Sequence, residues 1–357
     1  MHIDQLLREA VKRGASDLHL AAYSPPLIRL NTRLSKLSDT VFQPQDTVAF
    51  ARYILGPDRY SNYEKTGEID ASYQIEDLSY FRLNIYRHQD NTALSFRIIS
   101  HETPTIEGLG LPDIVASFAR YSSGLILVTG PTGNGKSTTL AAMIDLINHE
   151  RACHIVTLED PIEFVHTNRL SMITQREIGR DSLSFPNALR SCLRQDPDVI
   201  MIGEMRDLET ISTAITAAET GHLVIATLHT INAPQTIERV IDVFPPSQQH
   251  QIRVQLANSL IGVLSQRLLP NRQEGQPMIM AMEIMVCNAA IRNMVRDGKV
   301  HQIHNSMQTS KSYGMRTMNQ AMQELLQQGR IDDNLLSGSP KLTPTAHVIR
   351  KTRTQSK

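Results

Sequence analysis

Gly130-Pro131-Thr132-Gly133-Asn134-Gly135-Lys136-Ser137 matches the phosphate-binding pattern GxxxxGK[ST] at every fixed position, and the predicted fold class follows from this motif and its surroundings. It follows an apolar run and precedes a helical pattern, as the motif requires. Its glycines let backbone N–H groups surround a phosphate, and the helix start adds a positive dipole end. The lysine can bridge the β- and γ-phosphates, and the serine hydroxyl can bind Mg²⁺. The alternative is a glycine-rich turn without a ligand. It would require the motif to have arisen by chance, which has a probability of about one per cent in a chain of this length. The sequence therefore predicts an ATP and Mg²⁺ site formed by Gly130, Pro131, Thr132, Gly133, Asn134, Gly135, Lys136, Ser137 and Thr138.

Short apolar runs around this motif alternate with helix-patterned segments. The runs are residues 125–128, 154–158, 199–202 and 223–228. Fully apolar runs that alternate with helices indicate a parallel sheet covered on both faces. From Ser247 to about Gln328 the pattern predicts mainly helices.

The first hundred residues follow a different pattern. A helical repeat ends at Gly14, and strand-like alternation follows, most clearly over residues 81–86 and 94–99 with a polar turn between them. This predicts a small α+β domain beside the α/β domain. The expected organisation is an N-terminal domain over residues 1–100, a linker over 101–118, an ATPase domain over 119–336 and a disordered basic tail over 337–357.

Composition excludes several classes of function. The 357 residues carry 36 Lys and Arg against 36 Asp and Glu, so no net charge favours nucleic acid or an anionic membrane. No apolar run approaches the roughly 18 residues that span a bilayer. The three cysteines are far apart, which predicts neither a disulfide framework nor a zinc ribbon. We expect a cytoplasmic protein without a transmembrane segment, which binds no nucleic acid.

Two acidic segments follow predicted core strands. Glu163 ends the segment that begins at Glu159, and Glu204 ends the run 198–204, in which Gly203 stands where a magnesium-binding aspartate is usual. Ligand sites in such sheets gather at the carboxyl ends of strands, so both acids should lie near Lys136. The alternative for each acid is a solvated loop.

Two histidines flank the last of these strands. His229 follows the strand and could contact the γ-phosphate, whereas His222 precedes it and cannot easily share that site. The alternative for each is a structural histidine.

Together these segments resemble the four sequence boxes of the secretion ATPases, which drive type II and type IV secretion and type IV pili. The phosphate loop, the segment ending at Glu163, the strand ending Gly203-Glu204 and the His222 to His229 region correspond to the four boxes. The octet Ala290, Ile291, Arg292, Asn293, Met294, Val295, Arg296 and Asp297 is similar to the motif AIRNLIRE of the pilus retraction ATPases. The four-cysteine zinc motif usual in assembly ATPases is missing.

The resemblance implies a homohexamer of subunits with a PAS-like N-terminal domain and a RecA-like ATPase domain. By analogy Glu163 is the catalytic base, Glu204 holds Mg²⁺ through water, His229 lies by the γ-phosphate and His222 supports coupling. Arg82 and Arg97 would reach the phosphates, although a solvated strand face is an almost equal alternative. The octet would couple hydrolysis to pilus disassembly, its alternative being an ordinary core helix.

The implied partners are an inner-membrane pilus platform protein and related pilus ATPases, which would place the protein at the cytoplasmic face of the inner membrane. The function implied is a motor that retracts type IV pili. The alternatives are an assembly or secretion ATPase of the same family, a weakly hydrolysing accessory subunit of such a motor, and, with least support, a DNA motor.

Overall fold

A computed structural model describes residues 2–30, 33–76, 78–99, 103–273 and 276–336. The predicted tail over 337–357 lies outside the described residues. The helices are α1 (Ile3–Lys12), α2 (Pro44–Thr66), α3 (Asp113–Ala119), α4 (Lys136–Glu150), α5 (Phe185–Cys192), α6 (Leu208–Glu219), α7 (Ala233–Asp242), α8 (Pro246–Ser259), α9 (Ala289–Arg296), α10 (Ile303–Thr309) and α11 (Met318–Gln327). The strands are β1 (Asp17–Leu20), β2 (Leu27–Leu30), β3 (Arg33–Lys36), β4 (Glu68–Ile75), β5 (Ser79–His88), β6 (Asn91–Ile99), β7 (Gly124–Thr129), β8 (His154–Glu159), β9 (Met172–Glu177), β10 (Val199–Ile202), β11 (Leu223–Leu228), β12 (Leu260–Leu269) and β13 (Ile279–Val286).

The N-terminal part is an antiparallel sheet with strand order β3-β2-β1-β6-β5-β4. Alternation along β5 and β6 buries one side chain in two, and α1 and α2 contribute to the same apolar core. The hairpin that joins β5 to β6 is tighter than the sequence predicts. Pairing continues to His88 and Asn91, so Gln89 and Asp90 alone form the turn, both with positive φ.

The second sheet has the order β13-β12-β7-β11-β10-β8-β9 and is parallel except for β13. The four apolar runs of the sequence are β7, β8, β10 and β11, and their side chains are buried because helices cover both faces. The predicted α/β fold class, with a smaller α+β domain before the parallel sheet, is confirmed.

The prediction of mainly helical structure beyond Ser247 was wrong for β12 and β13. Both strands are almost fully buried, but Ser265, Gln266 and Arg267 interrupt the apolar run of β12 and Glu283 interrupts that of β13. Neither segment therefore shows the unbroken apolar run that is typical of a central strand. Strand β12 packs closely against its neighbours at Gly262. A Cβ at this position would lie 2.4 Å from Phe118 Cζ and 2.5 Å from the Met285 carbonyl oxygen, so a larger residue would not fit. The last two strands therefore belong to the ATPase sheet.

Helix α3 lies almost entirely within the stretch that the sequence assigned to a linker. Val115 and Phe118 are buried and pack in the same apolar cluster as β7 and α4. The segment before α3 is irregular over residues 103–112. Helix α3 therefore packs with the parallel sheet and its covering helices, largely within the stretch that the sequence suggests is a linker.

Strand β8 ends in a buried carboxyl group, Glu159. Thr157 Oγ1 donates to Glu159 Oε1 at 2.7 Å, Gln175 Nε2 donates to the same atom at 3.1 Å, and Glu163 N donates to Oε2 at 3.4 Å. Burial disfavours the charged form and raises the pKa of Glu159 to about 7, although these donors act in the opposite direction. The ordinary value is 4.5.

This pKa predicts a pH dependence of stability. Between about pH 4.5 and pH 7 the folded protein keeps a proton that the unfolded chain has lost, so the free energy of unfolding falls as the pH rises. In the parent, the free energy of unfolding should fall by on the order of 3 kcal/mol across this pH range, and Glu159→Gln should abolish that decrease. Denaturant unfolding at several pH values measures it, with the exposed Glu238→Gln as control. Parallel stability curves for Glu159→Gln and the parent would contradict the prediction.

Candidate nucleotide site

The phosphate loop connects β7 to α4 and adopts the conformation that its glycines permit. Gly133 and Gly135 have φ of 80° and 78°, in the left-handed region that favours glycine. The Lys136 ammonium donates to the carbonyl oxygens of Gly130 at 2.8 Å and Pro131 at 3.2 Å. All residues of the predicted loop, from Gly130 to Thr138, therefore lie in one turn and the first residues of α4.

The loop rests on β12, a support that sequence reasoning missed. Leu268 N donates to Asn134 Oδ1 at 2.8 Å, and Gln266 Nε2 donates to the Asn134 carbonyl oxygen at 2.8 Å. Gly130 also packs against this strand, since a Cβ there would lie 2.5 Å from the Gln266 carbonyl oxygen. The sequence offers little to find this support, because Gln266 stands between the polar residues Ser265 and Arg267 in a segment whose pattern predicts a helix.

A cleft of about 650 Å³ opens beside the loop and is lined by both parts of the chain. From the ATPase domain come Lys136, Ser137, Glu163, Glu204 and His229, and from the N-terminal sheet come Arg82 and Arg97. Glu159, Asp160, Arg206 and Leu268 also line the cleft. The structure thus brings together the loop, both predicted acids, one predicted histidine and both predicted arginines.

Glu204 is the centre of a charged chain within the cleft. Its Oε1 atom lies 2.6 Å from Arg206 Nε, and its Oε2 atom lies 3.2 Å from His229 Nε2. The other ring nitrogen of His229, Nδ1, lies 3.5 Å from Lys136 Nζ. Burial lowers the pKa of Lys136, and the negative charges of Glu204 and Glu163 oppose that shift. The acids therefore help to keep the lysine charged where phosphate would bind.

The glycine at the usual aspartate position of this strand has a steric explanation. A Cβ on Gly203 would lie 3.2 Å from the Leu158 carbonyl oxygen and 3.5 Å from Glu159 Cα. Gly203 N also donates to that carbonyl oxygen at 2.8 Å. A side chain at this position would therefore crowd the end of β8, which favours glycine here.

The two remaining groups of predicted residues lie elsewhere. His222 precedes β11 and its Nδ1 atom lies 3.0 Å from the Ala217 carbonyl oxygen, at the strand end opposite His229. The octet forms most of α9, with Asn288 as N-cap and Asp297 as C-cap. Ile291 and Val295 are buried in the ATPase core, whereas Arg292 is exposed. None of these residues lines the cleft.

A buried polar contact seats the N-terminal sheet beside the acidic loop. Ser72 Oγ donates to Glu177 Oε1 at 2.9 Å, and Ile162 N donates to Glu177 Oε2 at 3.4 Å. Arg180 Nη1 donates to Ser72 Oγ and Tyr80 OH, each at 3.0 Å. Burial raises the pKa of Glu177, and the hydrogen bond from Ser72 opposes it. Sequence reasoning missed Glu177 and Arg180, because no local pattern marks a contact across about a hundred residues.

The oxygen ligands of the cleft suit a magnesium ion bound together with phosphates. Mg²⁺ prefers hard oxygen ligands and usually takes one or two from the protein and the rest from phosphates and water. The Ser137 hydroxyl and Glu204 carboxylate provide such ligands. Within the described ranges, no three His, Cys, Asp or Glu side chains form a group that could hold a metal ion without a ligand's help.

No helix in the part of the chain that the structure describes combines the length and apolar character needed to cross a bilayer.

Comparison with known proteins identifies the family. The model of the family described as type II/IV secretion system protein matches residues 1–343. The chain is 43% identical over 331 residues to the type IV pilus retraction ATPase PilT of Pseudomonas aeruginosa, covering 93% of this chain and 96% of that protein. It is 41% identical over 326 residues to a twitching motility protein of Neisseria gonorrhoeae, covering 91% and 87%.

The fold agrees with a solved relative. The crystal structure of the pilus retraction motor PilT with bound ADP matches with a TM-score of 0.87 at 43% identity, over 96% of this chain and 98% of that one. The resemblance seen in the sequence is confirmed, and the chain belongs to the type II/IV secretion system protein family and, within it, to the PilT-type ATPases.

Proposed function

We propose that this protein is an ATP-hydrolysing motor that retracts type IV pili. The observation that carries the proposal is the cleft in which Lys136, Glu163 and Glu204 face Arg82 and Arg97 from the other domain. The similarity to a pilus retraction ATPase and to a twitching motility protein, each over more than nine tenths of this chain, supports the choice of pilus retraction.

In the proposed reaction, the loop N–H groups and Lys136 bind the β- and γ-phosphates of ATP. Ser137 would hold Mg²⁺ directly and Glu204 would hold it through water, and the bound ion would neutralise charge that develops on the phosphates. Glu163 takes a proton from the attacking water and so acts as the general base. The contact of His229 with both Glu204 and Lys136 supports a place for it beside the γ-phosphate.

Motion would arise because the site is divided between two domains. Arg82 and Arg97 are carried by the N-terminal sheet, so phosphate contact depends on how that sheet sits against the ATPase domain. In a homohexamer, each hydrolysis step would change this seating and pass the change to the next subunit. His222 and the octet would transmit it, at the cytoplasmic face of the inner membrane, to a pilus platform protein and to related pilus ATPases.

The role of Glu163 predicts a separation of binding from turnover. Glu163→Gln keeps the shape of the side chain but removes the base, so ATP turnover should fall about 10²- to 10⁴-fold while ATP affinity stays close to the parent. Lys136→Ala should lose both. Phosphate release and binding of labelled ATP measure the two properties, and Glu238→Gln on α7 is the control. ATP turnover at the parent level in Glu163→Gln would show that Glu163 is not the general base.

Retraction and assembly predict opposite phenotypes in the host. Deletion of the gene should give cells with many surface pili and no surface motility, and Lys136→Ala should fail to restore motility. Electron microscopy and a motility assay measure these outcomes. Cells without pili would indicate an assembly motor instead, and full rescue by Lys136→Ala would indicate an accessory subunit that does not need to hydrolyse ATP.

The exposed Arg292 gives the sharper test of the octet. Ile291 is fully buried, so Ile291→Ala should also cost stability, roughly 2–5 kcal/mol for a large-to-small change in a core. Arg292→Ala should keep ATP turnover within about twofold of the parent, because it lies outside the cleft, yet abolish retraction. The exposed Arg239→Ala on α7 is the control. Loss of ATP turnover in both octet variants would overturn the coupling role.

A further inference from the structure

Charged side chains form a row across one face of the N-terminal sheet. Strand register places Arg29 of β2 opposite Asp17 of β1, Asp17 opposite Arg97 of β6, and Arg97 opposite Arg82 of β5. Directly opposed residues of antiparallel strands share a face, with Cβ atoms about 4.5–5.5 Å apart. The row therefore holds three arginines and one acid, and its Arg82 and Arg97 end lines the nucleotide cleft.

This arrangement is costly for the sheet alone. Like charges directly opposite each other destabilise an antiparallel pair, and Arg97 faces Arg82 in this way. Asp17 lies between Arg29 and Arg97 and offsets part of the repulsion. An excess of positive charge that ends at a phosphate-binding cleft is the arrangement that a polyphosphate ligand would stabilise.

The carboxylate of Asp17 faces the Nε atom of both neighbouring arginines. Its Oδ1 atom accepts from Arg97 Nε at 3.2 Å, and its Oδ2 atom lies 3.7 Å from Arg29 Nε. Ser16 Oγ also donates to Oδ2 at 2.8 Å. The Asp17 side chain is 12% exposed and thus held firmly, whereas that of Arg97 is 71% exposed. Asp17 is therefore a fixed anchor for a long and otherwise exposed side chain.

Because Asp17 binds Arg97 at Nε, the two terminal nitrogens of the guanidinium group remain available to another acceptor. A guanidinium has donors at Nε and at both terminal nitrogens, and a carboxylate bound at Nε leaves the terminal pair for a second acceptor. An anchored arginine also loses less conformational entropy when it binds that acceptor. Anchoring at Nε therefore prepares the terminal N–H groups of Arg97 for phosphate oxygens.

We propose that Asp17 is a positioning residue for ATP: it holds Arg97 by Nε so that the terminal N–H groups of Arg97 meet the phosphates in the cleft. Asp17 itself does not touch the nucleotide. This inference rests on the proposed function, in which Arg97 contacts phosphate.

The test is a double-mutant cycle on the full-length protein with Asp17→Asn and Arg97→Ala. The dissociation constant for fluorescently labelled ATP and the kcat/KM for hydrolysis are the two measurements. Asp17→Asn should weaken ATP binding and lower kcat/KM about tenfold, the scale of one charge-assisted hydrogen bond. Because Asp17 acts through Arg97, the double variant should lose no more than Arg97→Ala alone.

A matched control separates positioning from loss of any ion pair. Glu9 of α1 accepts from Arg13 Nε at 2.8 Å, and both side chains lie outside the cleft. Glu9→Gln should leave ATP binding and turnover unchanged. Thermal melting checks that each variant is folded, and if Asp17→Asn does not fold, the same cycle is run with Asp17→Glu, in which the carboxylate is displaced by one methylene.

The outcomes distinguish the two proposals. Losses that multiply in the double variant would show that Asp17 acts independently of Arg97 and would overturn the positioning role. Parent-level binding and turnover by Arg97→Ala would instead refute the phosphate contact of Arg97, and the role of Asp17 would fall with it. A loss in Asp17→Asn alone, together with equal losses in the double variant and in Arg97→Ala, would support both. Parent-level binding and turnover by Asp17→Asn would overturn the positioning role.

Discussion

The site depends on the contact between the phosphate loop and β12. Asn134 is bound at both its side-chain oxygen and its carbonyl oxygen by this strand, and Gly130 is packed against the strand backbone. A phosphate-binding loop works through backbone N–H groups whose directions must be set before the ligand arrives. Since β12 also pairs with β7, the strand that leads into the loop, the sheet holds the loop both at its start and at Asn134.

A second constraint is the division of charge between two domains. The ATPase domain contributes Lys136, Arg206 and several carboxylates to the cleft, and the N-terminal sheet contributes Arg82 and Arg97. Glu177 joins the two, because it accepts hydrogen bonds from Ser72 of the N-terminal sheet and from Ile162, next to Glu163. Movement of one domain against the other would therefore reach the acidic loop directly, which is the physical requirement for coupling hydrolysis to motion.

Much of this molecule was predictable from local patterns. The loop 130–137, the four central apolar strands and the acids at strand ends follow from short-range chemistry and from the rule that ligands gather at carboxyl ends of parallel strands. The same local view failed for β12 and β13, because polar residues 265–267 and Glu283 interrupt apolar runs that stay mostly unbroken in the four central strands. It also failed for α3, whose apolar residues are too few for a clear helical repeat.

Short motifs with a fixed spacing encode the chemistry of the phosphate loop, the fold class and the family, so the amino-acid sequence was sufficient to identify them. The residues that support that chemistry became identifiable only in the folded structure. Gln266 beneath the loop, Glu177 at the domain junction and Asp17 beside Arg97 act on partners that are between 15 and 132 residues away. Strand register and sheet order set those contacts, and neither is readable from the neighbours of a residue along the chain.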